Sequence, residues 1–239
     1  MWVRRSLLGE GGQTRETPAP GLVVYQPKAG FRYAMDPFFL AGWTLEGAMP
    51  TSFLDVGTGS GILALLLGSL GLAGEGIDVM AEWVALASRS AQESGLAVRF
   101  RQEDVRFRRA DPVDLVLCNP PYRPLGQGPL PPDPLRAAAR HELHGSLAEL
   151  IPALASAGRR VALVLPASRG DEAVKLLIAA GRPLRRRARL DDALVLLEGT
   201  TGARLEEDIQ LALREDGDWS PWVRACYARL GAALAPRPG

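Results

Sequence analysis

The stretch FLDVGTGSG at residues 53–61, followed by ILALLLGSL at residues 62–70, decides the fold of this chain. The apolar run FLDV predicts a buried strand, and the second segment predicts a helix. The glycines between them allow positive φ and let the backbone pass close to a ligand, while the helix offers free N–H groups at its start. These features indicate a strand–turn–helix site for a nucleotide-like ligand, although the same pattern also occurs in dinucleotide folds and in plain tight turns.

Further strands are predicted at regular intervals, with helices between them, near residues 75–78, 97–101, 113–118 and 161–166. This spacing predicts right-handed βαβ crossovers and a parallel sheet. The last two strands, at residues 184–190 and 193–198, are separated by a tight-turn signal at Asp191-Asp192. One edge of the sheet is therefore predicted to be antiparallel.

Two carboxylates follow the next strands along the chain. Asp78 lies roughly twenty residues past the first glycine of the turn, where a ribose diol would be bound. Asp104 follows another short strand and would lie at the edge of an adenine ring. For each of them singly, a solvated surface carboxylate is the alternative. Because open α/β sheets bind ligands at the carboxyl ends of their strands, the order of turn and acids suits an adenosine ligand.

The motif NPPY at residues 119–122 ends the strand at residues 113–118. The Asn119 carboxamide and the Pro120 carbonyl could each accept an N–H bond from an amine whose lone pair is delocalised, drawing its nitrogen toward sp³ geometry as it attacks a methyl group. The two prolines fix φ and hold these acceptors rigid. Tyr122 offers a flat face for a stacked purine. Taken singly, the motif is equally consistent with a proline turn after a buried strand.

The glycine turn, the two acids and NPPY follow successive strands in this order, and together they resemble Rossmann-like class I S-adenosylmethionine-dependent methyltransferases. Enzymes that use NAD or FAD share the first two features and have no use for NPPY. Additional matching segments make the resemblance specific to the bacterial tRNA1(Val) (adenine-N6)-methyltransferases over about residues 20–230: QPKAGFR at 26–32, Asp36, LA at 40–41, ARHE at 139–142 and DWS at 218–220. Two departures stand out: Asp78 replaces a usual Glu, and ASRS at 87–90 lacks a common Asn.

This resemblance implies the fold class and the domain organisation. The expected fold is α/β, a mostly parallel seven-stranded sheet with an antiparallel edge strand and helices on both faces. Residues 1–20 are polar, with glycine and proline, and are expected to be a flexible arm, whereas the short apolar segments of residues 21–50 are expected to form an N-terminal cap. The resemblance implies that residues 51–235 are the methyltransferase domain, with no separate target-recognition domain.

The resemblance also implies the reaction and the residues that perform it. Family members transfer a methyl group from S-adenosylmethionine to N6 of the tRNA adenosine next to the anticodon, leaving S-adenosylhomocysteine. Direct in-line transfer without a covalent enzyme intermediate is the expected mechanism. Catalysis is expected from Asn119, Pro120, Pro121 and Tyr122. The cofactor is expected to contact Asp55, Gly57, Thr58, Gly59, Gly61, Asp78, Val79, Asp104, Val105 and Asn119. The substrate is expected to contact Tyr122, Arg32, Arg140 and His141.

Three alternative functions are compatible with the same motifs. Protein glutamine N5-methylation uses NPPY on an amide, but such enzymes carry an amino-terminal helical domain for which residues 1–50 look too short and too rich in loops. Methylation of an amine in DNA or rRNA is the second alternative, although the recognition domain usual for DNA adenine enzymes is not evident. A non-enzymatic module that binds the cofactor and RNA is the third.

Composition limits the class of protein further. The chain has 239 residues, a hydrophobic fraction of 47% and a net charge of +1, which suit one globular α/β domain. Cys118 and Cys226 are too few for a disulfide framework or a metal site, and His141 and His144 have the wrong spacing for a zincin-like helix. No segment resembles a signal peptide or a membrane span. We expect a cytoplasmic monomer or homodimer without a metal.

Arginines are concentrated in three parts of the sequence. One group comprises Arg182, Arg185, Arg186, Arg187 and Arg189, a second comprises Arg106, Arg108 and Arg109, and a third lies near the amino end. The clusters could contact phosphates of a nucleic acid, or they could form solvated protein faces. The sequence leaves both interpretations open.

Overall fold

The computed structural model describes residues 12–28, 32–120 and 145–234. In these ranges the helices are α1 (Asp36–Thr44), α2 (Ile62–Ser69), α3 (Ala81–Glu93), α4 (Leu147–Ala157), α5 (Gly170–Ala179) and α6 (Pro221–Arg229). The strands are β1 (Gln13–Ala19), β2 (Leu22–Pro27), β3 (Phe53–Val56), β4 (Gly74–Asp78), β5 (Arg99–Gln102), β6 (Val113–Cys118), β7 (Gly158–Pro166), β8 (Leu184–Leu190), β9 (Leu194–Thr200), β10 (Glu207–Leu211), β11 (Arg214–Glu215) and β12 (Asp218–Trp219). Short 3-10 turns cover Val105–Phe107 and Ala167–Arg169. None of the helices within the described ranges has the length and apolar character needed to cross a bilayer.

The central sheet has the strand order β10-β8-β9-β7-β6-β3-β4-β5. Strands β7, β6, β3, β4 and β5 pair in parallel, with α2 and α3 as crossover helices. The predicted Rossmann-like α/β fold is confirmed. Two details differ from the prediction: the sheet has eight strands rather than seven, and the antiparallel strand β9 lies between β7 and β8 rather than at an edge.

The additional strand is β10, which pairs in parallel with β8. In this pairing the acidic residues Glu207 and Asp208 lie opposite Arg186 and Arg187. Nε of Arg186 donates to Glu207 at 2.5 Å, and Arg187 forms an ion pair with Asp208. The arginine cluster of β8 is thus balanced within the sheet, because each of its guanidinium groups has a neighbouring carboxylate. This pairing supports a structural role for the cluster rather than contact with RNA phosphates.

Hydrophobic side chains alternate between the two faces of the sheet, as period-two burial requires. On β6, Leu115 and Leu117 pack in one core, whereas Val116 and Cys118 pack in the other. The first core includes residues of α1, α2 and α6, and the second includes residues of α4 and α5. Helices therefore cover both faces, and only the strand ends remain available for a polar site.

The amino-terminal part of the chain is more ordered than predicted. Residues 13–19 were expected in a flexible arm, but they form β1, which pairs antiparallel with β2. The resulting hairpin lies against α3, where the N–H groups of Val23 and Tyr25 donate to Ser94 and Ser90 at 2.8 and 2.9 Å. Backbone pairing together with these side-chain acceptors explains why a polar, proline-containing segment becomes ordered.

Candidate functional site

A cleft opens at the carboxyl ends of β3, β4, β5 and β6, as expected for a parallel α/β sheet. It brings together most of the residues predicted to contact the cofactor. These are Asp55, Gly57, Thr58, Gly59, Asp78, Val79, Asp104, Val105 and Asn119. Residues more than sixty positions apart in the sequence thus share one surface because their strands are neighbours in the sheet.

The glycine turn shapes the floor of this cleft. Gly57, Gly59 and Gly61 all have positive φ, with values of 70°, 54° and 84°. A Cβ placed on Gly57 or Gly59 would meet no protein atom within 4 Å, whereas one on Gly61 would lie 2.8 Å from the Cβ of Ala87. Gly57 and Gly59 therefore leave open space for a ligand. Gly61 does not line the cleft; it allows the turn to pack against α3.

Asp55 lies at the end of β3 and is 2% exposed. Its Oδ2 accepts a hydrogen bond from the Thr58 hydroxyl at 2.6 Å and another from the Ala64 N–H at 3.3 Å. Burial raises the pKa of Asp55 to about 7, against the opposing effect of these hydrogen bonds. The carboxyl group therefore fixes the glycine turn through Thr58 and the start of α2. Because its pKa lies near neutral pH, a charge bound nearby would change its ionisation.

Asp78 connects the end of β4 with the glycine turn. Its Oδ2 accepts from the Gly59 N–H and its Oδ1 from the Met80 N–H, both at 3.0 Å. These bonds fix the orientation of the carboxylate at the carboxyl end of β4. The predicted ribose contact is compatible with this geometry and remains a prediction.

Asp104 begins the 3-10 turn after β5 and lies at the far end of the cleft. It accepts bonds from the Arg106 backbone N–H and from the Arg106 guanidinium, where the shortest contact, from Nη2, is 2.6 Å. Arg106 also lines the cleft. In this structure, therefore, the predicted adenine-binding carboxylate is held by its own neighbour.

Asn119 follows β6 and faces the same cleft as the glycine turn. Cys118, just before it, is buried, and burial raises the pKa of its thiol well above the ordinary value. The thiol is thus held in its neutral form and is unsuited to act as a nucleophile. Pro120 is buried behind Asn119. The predicted site residues Pro121, Tyr122, Arg140 and His141 lie outside the described residues.

Arg32, predicted to contact the substrate, is not among the residues that line this cleft, and its substrate contact stays a prediction. Its guanidinium forms an ion pair with Glu16 and donates to Thr14 Oγ1 at 3.0 Å. Both acceptors belong to β1, whose pairing with β2 was not predicted. Arg32 therefore attaches the segment before α1 to the hairpin.

Sequence reasoning missed Tyr33 and Pro37, which bring the amino-terminal segment into the cleft wall. The Tyr33 hydroxyl donates to Glu16 at 2.9 Å, and its backbone N–H donates to Gln26 at 3.0 Å. Burial raises the pKa of Tyr33 to about 12, so the hydroxyl remains a donor. Their position in the matching segment between QPKAGFR and LA was the one signal that could have indicated them.

Other missed lining residues come from helices. Trp83 on α3 and Leu150 on α4 add apolar walls, beside Val79 and Val105 from the strand ends. Apolar residues at helical spacing look like ordinary core residues in a sequence, so no local signal distinguishes Trp83 and Leu150 from core residues.

Among residues 12–28, 32–120 and 145–234, no group of three or more His, Cys, Asp or Glu side chains is arranged to hold a metal ion.

The arrangement fits an adenosyl cofactor. The cleft offers open space above two positive-φ glycines, a carboxylate at Asp78 and apolar walls at Val79 and Val105. The carboxylate suits a ribose diol, and the apolar walls suit a flat purine ring.

Comparisons with known proteins show similarity to methyltransferases. The family model described as "Methyltransferase small domain" matches residues 43–129. The tRNA1(Val) (adenine(37)-N6)-methyltransferase of Tolumonas auensis is 35% identical over 231 residues, which cover 87% of this chain and 95% of that protein. The release factor glutamine methyltransferase of Rhodospirillum rubrum is 39% identical over 166 residues, covering 67% of this chain and 50% of that protein.

Solved structures agree with the fold. A predicted O-methyltransferase from Agrobacterium tumefaciens superposes with a TM-score of 0.62, covering 84% of this chain and 99% of its own, at 16% identity. Identity this low supports the fold alone. The relative from Tolumonas auensis, by contrast, is matched over almost its whole length at 35% identity, and the predicted resemblance is confirmed. The chain belongs to the tRNA1(Val) (adenine(37)-N6)-methyltransferase family.

Proposed function

We propose that this protein methylates N6 of a tRNA adenosine next to the anticodon, with S-adenosylmethionine as the methyl donor. The observation that carries the proposal is the position of Asn119, which follows β6 and shares one cleft with the glycine turn and with Asp78. An acceptor for an amine and a site for an adenosyl group thus lie side by side. The function of the relative from Tolumonas auensis supports the same substrate.

The cofactor would be held by three parts of the cleft. Gly57 and Gly59 would leave room for its methionine part, Asp78 would accept hydrogen bonds from its ribose, and Val79 and Val105 would flank its adenine. When bound, S-adenosylmethionine supplies an activated methyl group on a sulfonium centre. Asp55, buried below the turn, would keep Thr58 and the start of α2 in place through its two hydrogen bonds.

Asn119 would act on the target amine. Its carboxamide oxygen accepts one N–H bond and the Pro120 carbonyl accepts the other, so the nitrogen lone pair turns away from the purine π-system. The same two oxygens stabilise the positive charge that develops on nitrogen during methylation. No strong general base is required, because the methylated nitrogen is acidic enough to lose its proton to solvent.

Proximity would supply much of the rate. Holding two reacting groups in a near-attack arrangement can contribute about 7–11 kcal/mol. Tyr33 and Pro37 line the same cleft as Asn119, and the Glu16 and Gln26 contacts keep Tyr33 in position. We propose that the hairpin and α1 serve as an N-terminal cap on the methyltransferase domain in this way. A tRNA substrate also implies a cytoplasmic location.

The test is methyl transfer to tRNA. Purified protein is incubated with S-adenosylmethionine labelled in its methyl group and with total tRNA from cells that lack this protein, and the digested nucleosides are separated. Label in N6-methyladenosine supports the proposal. Label in another nucleoside, or in none, contradicts it.

One alternative has an observation in its favour, namely the 39% identity to a release factor glutamine methyltransferase. A second reaction with release factor protein in place of tRNA tests it directly. Label in protein but not in tRNA would replace N6-adenine methylation with glutamine methylation. Single-stranded DNA and rRNA are included as further substrates in the same series.

A further inference from the structure

Both oxygens of the Asp104 carboxylate accept hydrogen bonds from Arg106. Its Oδ1 accepts from the Arg106 backbone N–H and from Nε, both at 3.0 Å. Its Oδ2 accepts from Nε at 3.1 Å and from Nη2 at 2.6 Å. A carboxylate offers about four acceptor positions. These contacts involve both oxygens in a side-on pairing with Nε and Nη2, so a new donor competes with the guanidinium for them.

An adenosyl ligand in the cleft would bring such a donor. Asp104 and Val105 line the end of the cleft beyond Asp78, and an adenine that lies there presents its exocyclic amine to a carboxylate. We propose that Arg106 competes with the adenine amine for Asp104 and thereby sets the affinity of the cleft for adenosyl ligands. This inference rests on the cofactor site of the proposed function.

The direction of the effect follows from the backbone. The Arg106 N–H donates to Asp104 whatever side chain residue 106 carries, and this bond continues to hold the carboxylate as the N-cap of the 3-10 turn. The guanidinium is therefore not needed to orient Asp104. Removing it frees acceptor positions for the ligand without releasing the carboxylate.

A second acid offers the displaced guanidinium a new partner. Nη1 of Arg106 lies 3.9 Å from Oε1 of Glu149, which is more exposed than Asp104. Glu149 also closes the capping box at the start of α4 with Ser146. When the ligand takes Asp104, Arg106 can approach Glu149, which reduces the loss on displacement. Arg106 is thus a specificity-determining residue that exchanges between two carboxylates.

The test is calorimetric binding of S-adenosylhomocysteine to the full chain and its variants. Arg106→Ala is expected to bind this ligand roughly two- to fivefold tighter than the wild type, the range set by a partly exposed ion pair. S-inosylhomocysteine, which lacks the adenine amine, is the matched control ligand, and its affinity is expected to change little. Unchanged or weaker binding of S-adenosylhomocysteine by a folded Arg106→Ala variant overturns the proposal, as does an equal gain for both ligands.

A second variant tests the exchange itself. Glu149→Gln keeps the capping box, because the Gln side chain accepts the same bond. It removes the negative charge with which the displaced Arg106 guanidinium would pair. It is expected to weaken binding of S-adenosylhomocysteine in the wild-type background and to have no effect in the Arg106→Ala background. Equal effects in both backgrounds would contradict the exchange. Thermal melting of each variant confirms that it is folded.

The two proposals fail in different ways. If the wild type binds neither S-adenosylhomocysteine nor S-adenosylmethionine, the cofactor site of the proposed function is wrong. If the wild type binds both and methylates tRNA while Arg106→Ala gains no affinity, only the competition between Arg106 and adenine is wrong.

Discussion

Two regions of this molecule are rich in charged side chains, and they use them differently. At the outer edge of the sheet, the arginines of β8 face the acids of β9 and β10, and Glu198 lies fully buried between Arg160 and Arg186. In the cleft, the carboxylates of Asp55 and Asp78 accept bonds from backbone N–H groups instead. The carboxylates of Asp55 and Asp78 are thus held at strand ends beside the cleft, whereas those of the outer region neutralise arginines within the sheet.

The largest effect is expected from breaking the outer region at its centre. Glu198→Ala would leave the buried Arg160 without its carboxylate, which lies 3.2 Å away, and would remove a second acid, 3.8 Å away, from Arg186, which keeps Glu207. Breaking a buried pair in this way costs about 3–5 kcal/mol of folding free energy. Urea unfolding measures the loss, and S-adenosylhomocysteine binding to the folded fraction should persist. A loss of unfolding free energy below about 1 kcal/mol, the value typical of an exposed ion pair, would show that these ion pairs do not stabilise the outer edge of the sheet.

A smaller effect separates two glycines of the turn. Gly61→Ala places a Cβ 2.8 Å from Ala87 and adds a strained positive φ, so it should destabilise the fold by about 2–4 kcal/mol. Gly59→Ala has the same backbone strain but no protein atom within 4 Å of the new Cβ. It should lose less stability and more affinity for S-adenosylhomocysteine. Thermal unfolding measures the stability of both variants, and calorimetry measures their affinity for the ligand. If Gly59→Ala lost more stability and less affinity than Gly61→Ala, the assignment of Gly59 to the ligand face would be wrong.

The ionisation of Asp55 gives a pH-dependent prediction. Burial raises its pKa to about 7. An unfolded aspartate ionises near about 3.9, so between these values the folded chain holds a proton that the unfolded chain has lost. Folding stability should therefore fall as pH rises through this window, by at most about 1.4 kcal/mol per pH unit, and level off above it.

Asp55→Asn is the matched control, because it keeps an acceptor for Thr58 and for the Ala64 N–H. Its stability relative to the wild type should grow from about pH 5 to about pH 8, when both are followed by urea unfolding. A constant difference across this range would mean that Asp55 is ionised throughout.

The smallest effect is expected at the exposed part of the outer region. Arg187 pairs with Asp208, which also accepts from Arg189 at 2.8 Å, and all three side chains are partly exposed. Arg187→Ala should cost about 0.2–1 kcal/mol of stability. It should leave tRNA affinity, measured by filter binding at two salt concentrations, unchanged. A marked loss of affinity would restore the phosphate-contact interpretation of this cluster.

The strands of the central sheet other than β10, and the order of the site residues, were predictable from sequence. Strand β3 at Phe53–Val56 and strand β6 at Val113–Cys118 have the predicted bounds. Apolar runs that end in glycine or proline turns carry this information locally. The carboxyl-end rule then brings Asp78 and Asn119 together without knowledge of the packing.

The remaining features depend on contacts that a local pattern does not contain. Strand β10, with the sequence EDIQL, is too polar to be recognised as a strand, and it pairs with β8 because its acids meet arginines there. Strand β1 is also polar and was not recognised, because the buried residues of the hairpin lie on its neighbour β2. Tyr33 reaches the cleft only because this hairpin holds it. Long-range pairing, not local propensity, decided each of these cases.

The central claim is that Asn119 acts on the amine, whereas the rest of the cleft holds the cofactor. Single-turnover methyl transfer to tRNA by Asn119→Ala, together with calorimetric binding of S-adenosylhomocysteine, tests it most directly. We expect a transfer rate about 10²–10³-fold lower, with ligand affinity within about twofold of the wild type. Transfer at the wild-type rate by a folded variant, or a loss explained wholly by weaker cofactor binding, would contradict it.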